Sequence, residues 1–202
     1  MQKVLFIAGL LVLGLVFTHQ REVTHGPGVL APDNPVQVNL EGAANIPFKE
    51  VRVIPQATFE ITARVLSKEK YWSGPESDLS PIDLALGWGP MSDTAVLDEI
   101  DIWQSGRWYR WKSKDLPITQ PDVSNHSANM HMIPATDAIE KQLKRLKKGE
   151  IVSIIGKLVN IETDEGWHWN SSMTRGDRGG GACEVVFVES VTVVEVANSI
   201  FE

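Results

Sequence analysis

One amphipathic helix is set into a chain that otherwise follows the two-residue period of β-strands, and that pattern limits the possible folds. Thr136 or Asp137 can cap the helix, with Glu140 near its positive N-terminal end. Ile139, Leu143 and Leu146 form an apolar stripe at helical spacing, and Gly149 supplies the stop. Lys144, Arg145, Lys147 and Lys148 gather where the helix dipole is negative. Upstream, Phe59, Ile61, Ala63 and Val65 alternate with Thr58, Glu60, Thr62 and Arg64, which predicts a half-buried strand. Residues 107–112 and 128–133 predict two more strands. Downstream, residues 152–161 and 184–196 predict another two, with a bend or bulge at Gly156 and a break near Glu189 and Ser190. Between the first and second of these strands the chain reads as a loop-rich insertion, holding a short helix over 92–100 capped by Ser92 or Asp93.

The order strand, strand, strand, helix, strand, strand is that of an oligonucleotide/oligosaccharide-binding (OB) barrel. The expected fold is therefore mainly β with one principal helix (α+β): a small OB-like five-stranded antiparallel barrel over residues 48–202. The alternative is another antiparallel sheet packed by one helix. Cys183 is the only cysteine, so no disulfide within the chain can support the fold, and the core must do so.

The first 18 residues read as a targeting segment. Lys3 precedes residues 4–17, which carry no charge. This run suits a signal-peptide core and is shorter than the roughly 20 residues of a full span. Thr18, His19, Gln20 and Arg21 follow where small cleavage-site residues would be expected, so a retained signal anchor is the first expectation and a cleaved signal peptide the second. Residues 19–47, punctuated by Pro27, Pro32 and Pro35, read as an extended Pro/Gly-rich linker or arm. Lys3 favours an N-terminus inside, which predicts a single N-terminal anchor with the soluble domain outside the cytoplasm.

Three blocks could carry recognition or chemistry. In the first, Trp167, Trp169, Ser171, Ser172, Arg175 and Asp177 precede a glycine-rich turn and Cys183. The glycines permit a nest of backbone N–H groups, and the arginine adds forked donors, so the block could hold an anion or a sugar acid. It could equally be a plain inter-strand connection. In the second, Trp88 lies between Gly87 and Gly89, with Asp93 nearby; the indole is either accessible to a ligand or a plug at the barrel's end. In the third, Trp103, Trp108, Tyr109 and Trp111 interleave with Arg107, Arg110 and Lys112, a pattern on which single-stranded nucleic acid can stack. A net charge of −7 argues against nucleic acid as the principal partner.

His126 and His131 lack a recognised metal spacing, so no metal and no cofactor are expected. His131 could act as a general base, with Arg175 as anion stabiliser and Asp177 or Glu184 as a second acid–base group. Cys183 paired with His126, His131 or His168 would make a thiol–imidazole nucleophile. Phosphate loops, serine nucleophile elbows and dinucleotide fingerprints are absent from the sequence.

The blocks Gly87-Trp88-Gly89-Pro90-Met91-Ser92-Asp93 and Trp169-Asn170-Ser171-Ser172, continuing through Thr174, Arg175, Asp177, Gly179, Cys183 and Glu184, resemble a family of bacterial membrane-anchored envelope proteins. Ser127-Ala128-Asn129-Met130-His131 fits the same likeness. The resemblance implies a bacterial envelope setting, with the single N-terminal anchor in the inner membrane and the soluble domain in the periplasm, and no activity. The leading functional expectation is a binding module engaging an envelope protein or glycan through Trp88, Trp103, Trp167, Trp169, Arg175 and Asp177. An envelope hydrolase built on His131 is the alternative, and nucleic-acid binding through residues 107–112 is the third.

Overall fold

The computed structural model describes residues 22–174, 179 and 182–196. The apolar run 4–17, Arg175 and Asp177 lie outside the described residues. Among the described residues, no helix is long and apolar enough to cross a membrane.

The elements, in chain order, are β1 (Val36–Asn39), β2 (Ile46–Phe48), β3 (Val51–Lys70), α1 (Pro75–Leu79), β4 (Ile82–Gly87), a 3-10 turn at Gly89–Ser92, α2 (Thr94–Leu97), β5 (Asp101–Ser105), β6 (Trp108–Lys112), α3 (Gln120–Asn125), β7 (Ser127–Pro134), α4 (Asp137–Arg145), β8 (Ile151–Glu162), β9 (His168–Trp169) and β10 (Glu184–Val193). The domain is mainly β with few helices, as expected. Five strands form a closed ring of pairings, β3–β4–β7–β10–β8 and back to β3. The β7–β10 pair is parallel and the other four are antiparallel. β3 is long enough to pair with β8 along one edge and with β2, β1 and β4 in succession along the other.

The ring's second strand is not the expected one. Residues 107–112 belong to a separate hairpin, β5–β6, and β4 takes the place assigned to them. All six residues of β4 are buried, so it shows none of the apolar–polar alternation that marks a half-exposed strand.

Phe59, Ile61, Leu84, Met130, Ile154 and Val186 meet inside the ring and are almost fully buried. Ile139, Leu143 and Leu146 of the α4 segment join the same core, as their spacing predicts. Each such side chain contributes roughly 1.5–3 kcal/mol by leaving water. Gly156 allows a close approach between β8 and β10: a Cβ there would lie 2.1 Å from the Phe187 carbonyl oxygen. The bulge lies across from it, on β10 between Val188 and Ser190.

The Pro/Gly-rich stretch from residue 22 is strapped along the body. Val23 N–H donates to the Lys148 carbonyl at 2.9 Å. Gly28 N–H donates to Asp93 Oδ1 at 2.8 Å, and Leu30 and Ala31 N–H both reach Ser92 Oγ. Gly149, with φ at +91°, passes so close beneath the strap that a Cβ would lie 1.9 Å from the Val23 carbonyl oxygen.

Gly156→Ala and Gly149→Ala should each lower the unfolding free energy by about 3 kcal/mol, because backbone atoms occupy the space a methyl needs. Gly26→Ala, where nothing lies within 4 Å, should stay within about 0.5 kcal/mol of the parent. Urea denaturation measures all three; equal effects at positions 26 and 156 would refute the close strand approach.

Candidate functional site

The register of β4, β7 and β10 brings the chemistry together. Ile82, Leu84, Met130 and Met132 point into the ring, so Asp83 and His131 point out of it. They are direct cross-strand partners on β4 and β7. On the other side of β7, Val185 of β10 pairs with His131, which sets Cys183 just ahead of the strand and beside the imidazole. Two further segments cover this outer face, the β5–β6 hairpin and the stretch that carries β9.

Asp83 is fully buried. Its Oδ1 lies 2.9 Å from His131 Nδ1, on an approach too bent for a full hydrogen bond, and accepts a hydrogen bond from Arg107 Nη1 at 2.9 Å. Arg107 Nη2 donates to the Ser80 carbonyl at 3.0 Å. The guanidinium lies 4.0 Å from the Tyr71 ring centroid and 5.3 Å from that of Trp169, an aromatic sandwich suited to a cation. The Trp169 ring also packs against His131, with centroids 4.7 Å apart. One buried carboxylate thus faces two basic side chains.

Arg107 reaches this position through a strained turn. Gly106 and Arg107 both have positive φ, at +58° and +65°, as a two-residue hairpin turn of the primed type requires. A left-handed arginine costs roughly 1–2 kcal/mol. Its neighbours fix it there: Arg107 N–H donates to Tyr71 Oη at 2.9 Å, and Asn129 Nδ2 donates to the Arg107 carbonyl at 3.2 Å. Asn129 Nδ2 also lies 3.6 Å from Cys183 Sγ.

Burial alone would push the His131 pKa down. Its contacts with the Asp83 carboxylate and with Cys183 outweigh burial and raise it to about 9, so the ring is protonated at neutral pH. Burial and the nearby Asp83 carboxylate push the Tyr71 hydroxyl well above its ordinary value, so it remains a neutral phenol. Beside His131 and Cys183 opens a cavity of about 310 Å³, whose lining also includes Arg107, His168 and Trp169. An imidazolium and a half-exposed cysteine therefore meet at a space that admits a small ligand or a side chain, with the Asp83 carboxylate buried behind the imidazolium.

The described members of the expected recognition surface lie in several different places, and Arg175 and Asp177 lie outside the described residues. Trp88 is buried in the ring's core and donates Nε1–H to Asn34 Oδ1, so the accessible indole is corrected to a core residue. Asp93 caps α2 through Ala95 N–H and holds the strap. Ser171 and Ser172 are buried and bond to backbone: Ser171 Oγ accepts from Val185 N–H and donates to the Ser172 carbonyl. Trp103 stands on the hairpin, partly exposed, while Trp167 packs beside Trp169 in the second core cluster. Glu184 is buried at the start of β10. Of the sequence candidates, Arg107, Trp108, His131, His168, Trp169 and Cys183 meet at the cavity. In the run 107–112, Arg107 binds Asp83, Arg110 donates to the Ser105 carbonyl and Lys112 pairs with Asp101. His126 turns away, its Nδ1 against the Asp122 carbonyl. Among the described residues, no group of three or more His, Cys, Asp or Glu side chains could hold a metal ion.

Asp83 and the pairing role of Arg107 escaped the sequence reading. One signal was available: Asp83 is a lone charge within Ile82-Asp83-Leu84-Ala85-Leu86, and a carboxylate in so apolar a strand needs a buried partner.

No family model, curated protein or solved structure matches this chain. The likeness to envelope proteins therefore lends no residue its role, and the site stands on geometry.

A histidine held at about 9 in the fold and near 6.5 when unfolded stabilises the protein fully below pH 6.5. That contribution, on the order of 3 kcal/mol, should disappear as pH rises through 9. Denaturant midpoints between pH 6 and 10 should fall accordingly, and His131→Asn should flatten this part of the profile. Arg107→Met removes a partner from a fully buried carboxylate and should cost about 3 kcal/mol at neutral pH.

Proposed function

We propose that the chain is a thiol-dependent acyl hydrolase or acyl transferase with Cys183 as nucleophile, His131 as proton carrier and Asp83 as the group that orients His131. The observation that carries this reading is that His131 and Cys183 meet at one cavity, with Asp83 buried behind the imidazole at 2.9 Å from its Nδ1. In the reactive pair the Cys183 proton resides on His131, so a thiolate faces a cationic ring, the ion-pair arrangement that nucleophilic cysteines use. Its sulfur attacks the carbonyl carbon of an ester, thioester or amide. A C–S bond forms, the leaving group departs with its bonding electrons, and His131 supplies the proton it needs. Water, deprotonated by His131, then cleaves the thioester, releasing the acid and restoring the thiolate–imidazolium pair. An amine or alcohol in place of water would make the same site a transferase. Arg107 holds Asp83 Oδ1 by a 2.9 Å hydrogen bond and adds positive charge to the cavity wall.

The placement fits an OB-like reading of the ring. The strand order, the parallel β7–β10 pair and α4 between β7 and β8 all support that reading. On it, β4 and β7 are the second and third barrel strands, and the β8–β10 connection is the loop that commonly flanks the ligand face. Asp83, His131 and Cys183 lie on those parts. Residues 4–17, read as an anchor, would place the site in the bacterial envelope, facing an envelope protein or glycan.

Turnover of activated esters, with acyl-enzyme trapping followed by mass spectrometry, tests the proposal. A single acyl adduct on Cys183 is expected, with turnover lost in Cys183→Ala and reduced roughly 100-fold or more in His131→Gln. Full turnover in a folded Cys183→Ala variant would overturn it.

A further inference from the structure

We propose that the corner formed by Trp72 and the C-terminal end of α4 is a docking face for anionic lipid headgroups, which seats the body on the bilayer. The proposal rests on reading residues 4–17 as a membrane anchor and is independent of the chemistry at Cys183.

Covalent reach is the first support. Glu22 is fixed to the body, with its carboxylate 3.1 Å from Lys148 Nζ. Val23 and His25 hold the next residues against the carbonyls of Lys148 and Gly149. Phe17, the last residue of the apolar run, is five Cα steps from Glu22, a reach of roughly 17 Å at full extension. Of that distance, roughly 5–7 Å is headgroup region. An anchored chain therefore cannot hold its body far from the surface, and the corner beside Lys148 must lie next to the lipid.

Charge is the second support. The chain carries −7 overall, yet Lys141, Lys144, Arg145, Lys147 and Lys148 fall within eight consecutive residues at this corner. Lys144 pairs with Glu140 and Lys148 with Glu22, while Lys141, Arg145 and Lys147 have no ion-pair partner among the described residues. Basic residues next to a membrane segment are drawn to anionic headgroups.

The third support is Trp72. Its side chain is 80 % exposed, the most exposed large hydrophobic residue among those described, and Lys144 Nζ lies 6.0 Å from its ring centroid. An exposed tryptophan beside a lysine suits the headgroup layer, where indoles concentrate. Trp72 directly follows Tyr71, which packs on Arg107, so the seated face adjoins the wall of the catalytic site.

The full chain would be reconstituted into vesicles of phosphatidylcholine alone or with phosphatidylglycerol, each carrying lipid brominated near the headgroup. The readout is quenching of tryptophan emission. Trp72→Phe should lose the quenched component seen with phosphatidylglycerol, and Lys141→Glu/Lys147→Glu should weaken it in the same membranes. Trp72 is exposed, so circular dichroism of Trp72→Phe should match the parent. Unchanged quenching in Trp72→Phe, in a chain that floats with the vesicles, would overturn the docking face while leaving the anchor intact. A chain that does not float would overturn the anchor and, with it, the docking face. Equal quenching with and without phosphatidylglycerol would overturn the role of anionic lipid.

Discussion

Everything at this site depends on one carboxylate removed from water. Asp83 is fully buried, and a charge in that position persists only where opposite charges and hydrogen bonds replace its hydration. Arg107 and His131 supply that replacement from two different elements, the β5–β6 hairpin and β7. The costs elsewhere follow from this need. The hairpin bends through a left-handed arginine to deliver a guanidinium, and Tyr71, Trp169 and Asn129 hold that arginine in place. His131 keeps its proton despite burial because the carboxylate is there. The ionic cluster thus couples the closed sheet to the segment covering its outer face, and Cys183 sits where the two meet.

Much of the fold could be read from local pattern. The alternation over 58–65 lies within β3, the capped helix is α4 with its three apolar residues in the core, and the two late strands are β8 and β10. These segments were legible because each has one face in the core and a period that records it. β4 was not, because a strand buried on both faces has no period to show. Its absence from the reading moved 107–112 into the ring and hid Asp83. Trp88 misled for a related reason: neighbouring glycines look like access, but here they let the 3-10 turn and the strap close over the indole.

The site was legible in its parts and not in its assembly. His131 and Cys183 each stood out as reactive residue types, but no sequence spacing shows that β7 and β10 run parallel side by side. The pairing of Asp83 with His131 depends on register between strands more than forty residues apart in sequence. Cross-strand geometry of this kind follows from how the hydrophobic faces lock together, which is a property of the whole core.

The central claim is that Asp83 holds a protonated imidazole against the Cys183 sulfur. The most direct measurement is an NMR titration of the His131 ring nitrogens in the parent and in Asp83→Asn. The account predicts a midpoint near 9 in the parent, with a protonated ring throughout the neutral range. In Asp83→Asn it predicts a large downward move, because burial then acts without the carboxylate to offset it. A parent midpoint near 6.5, or one that Asp83→Asn leaves in place, would contradict it.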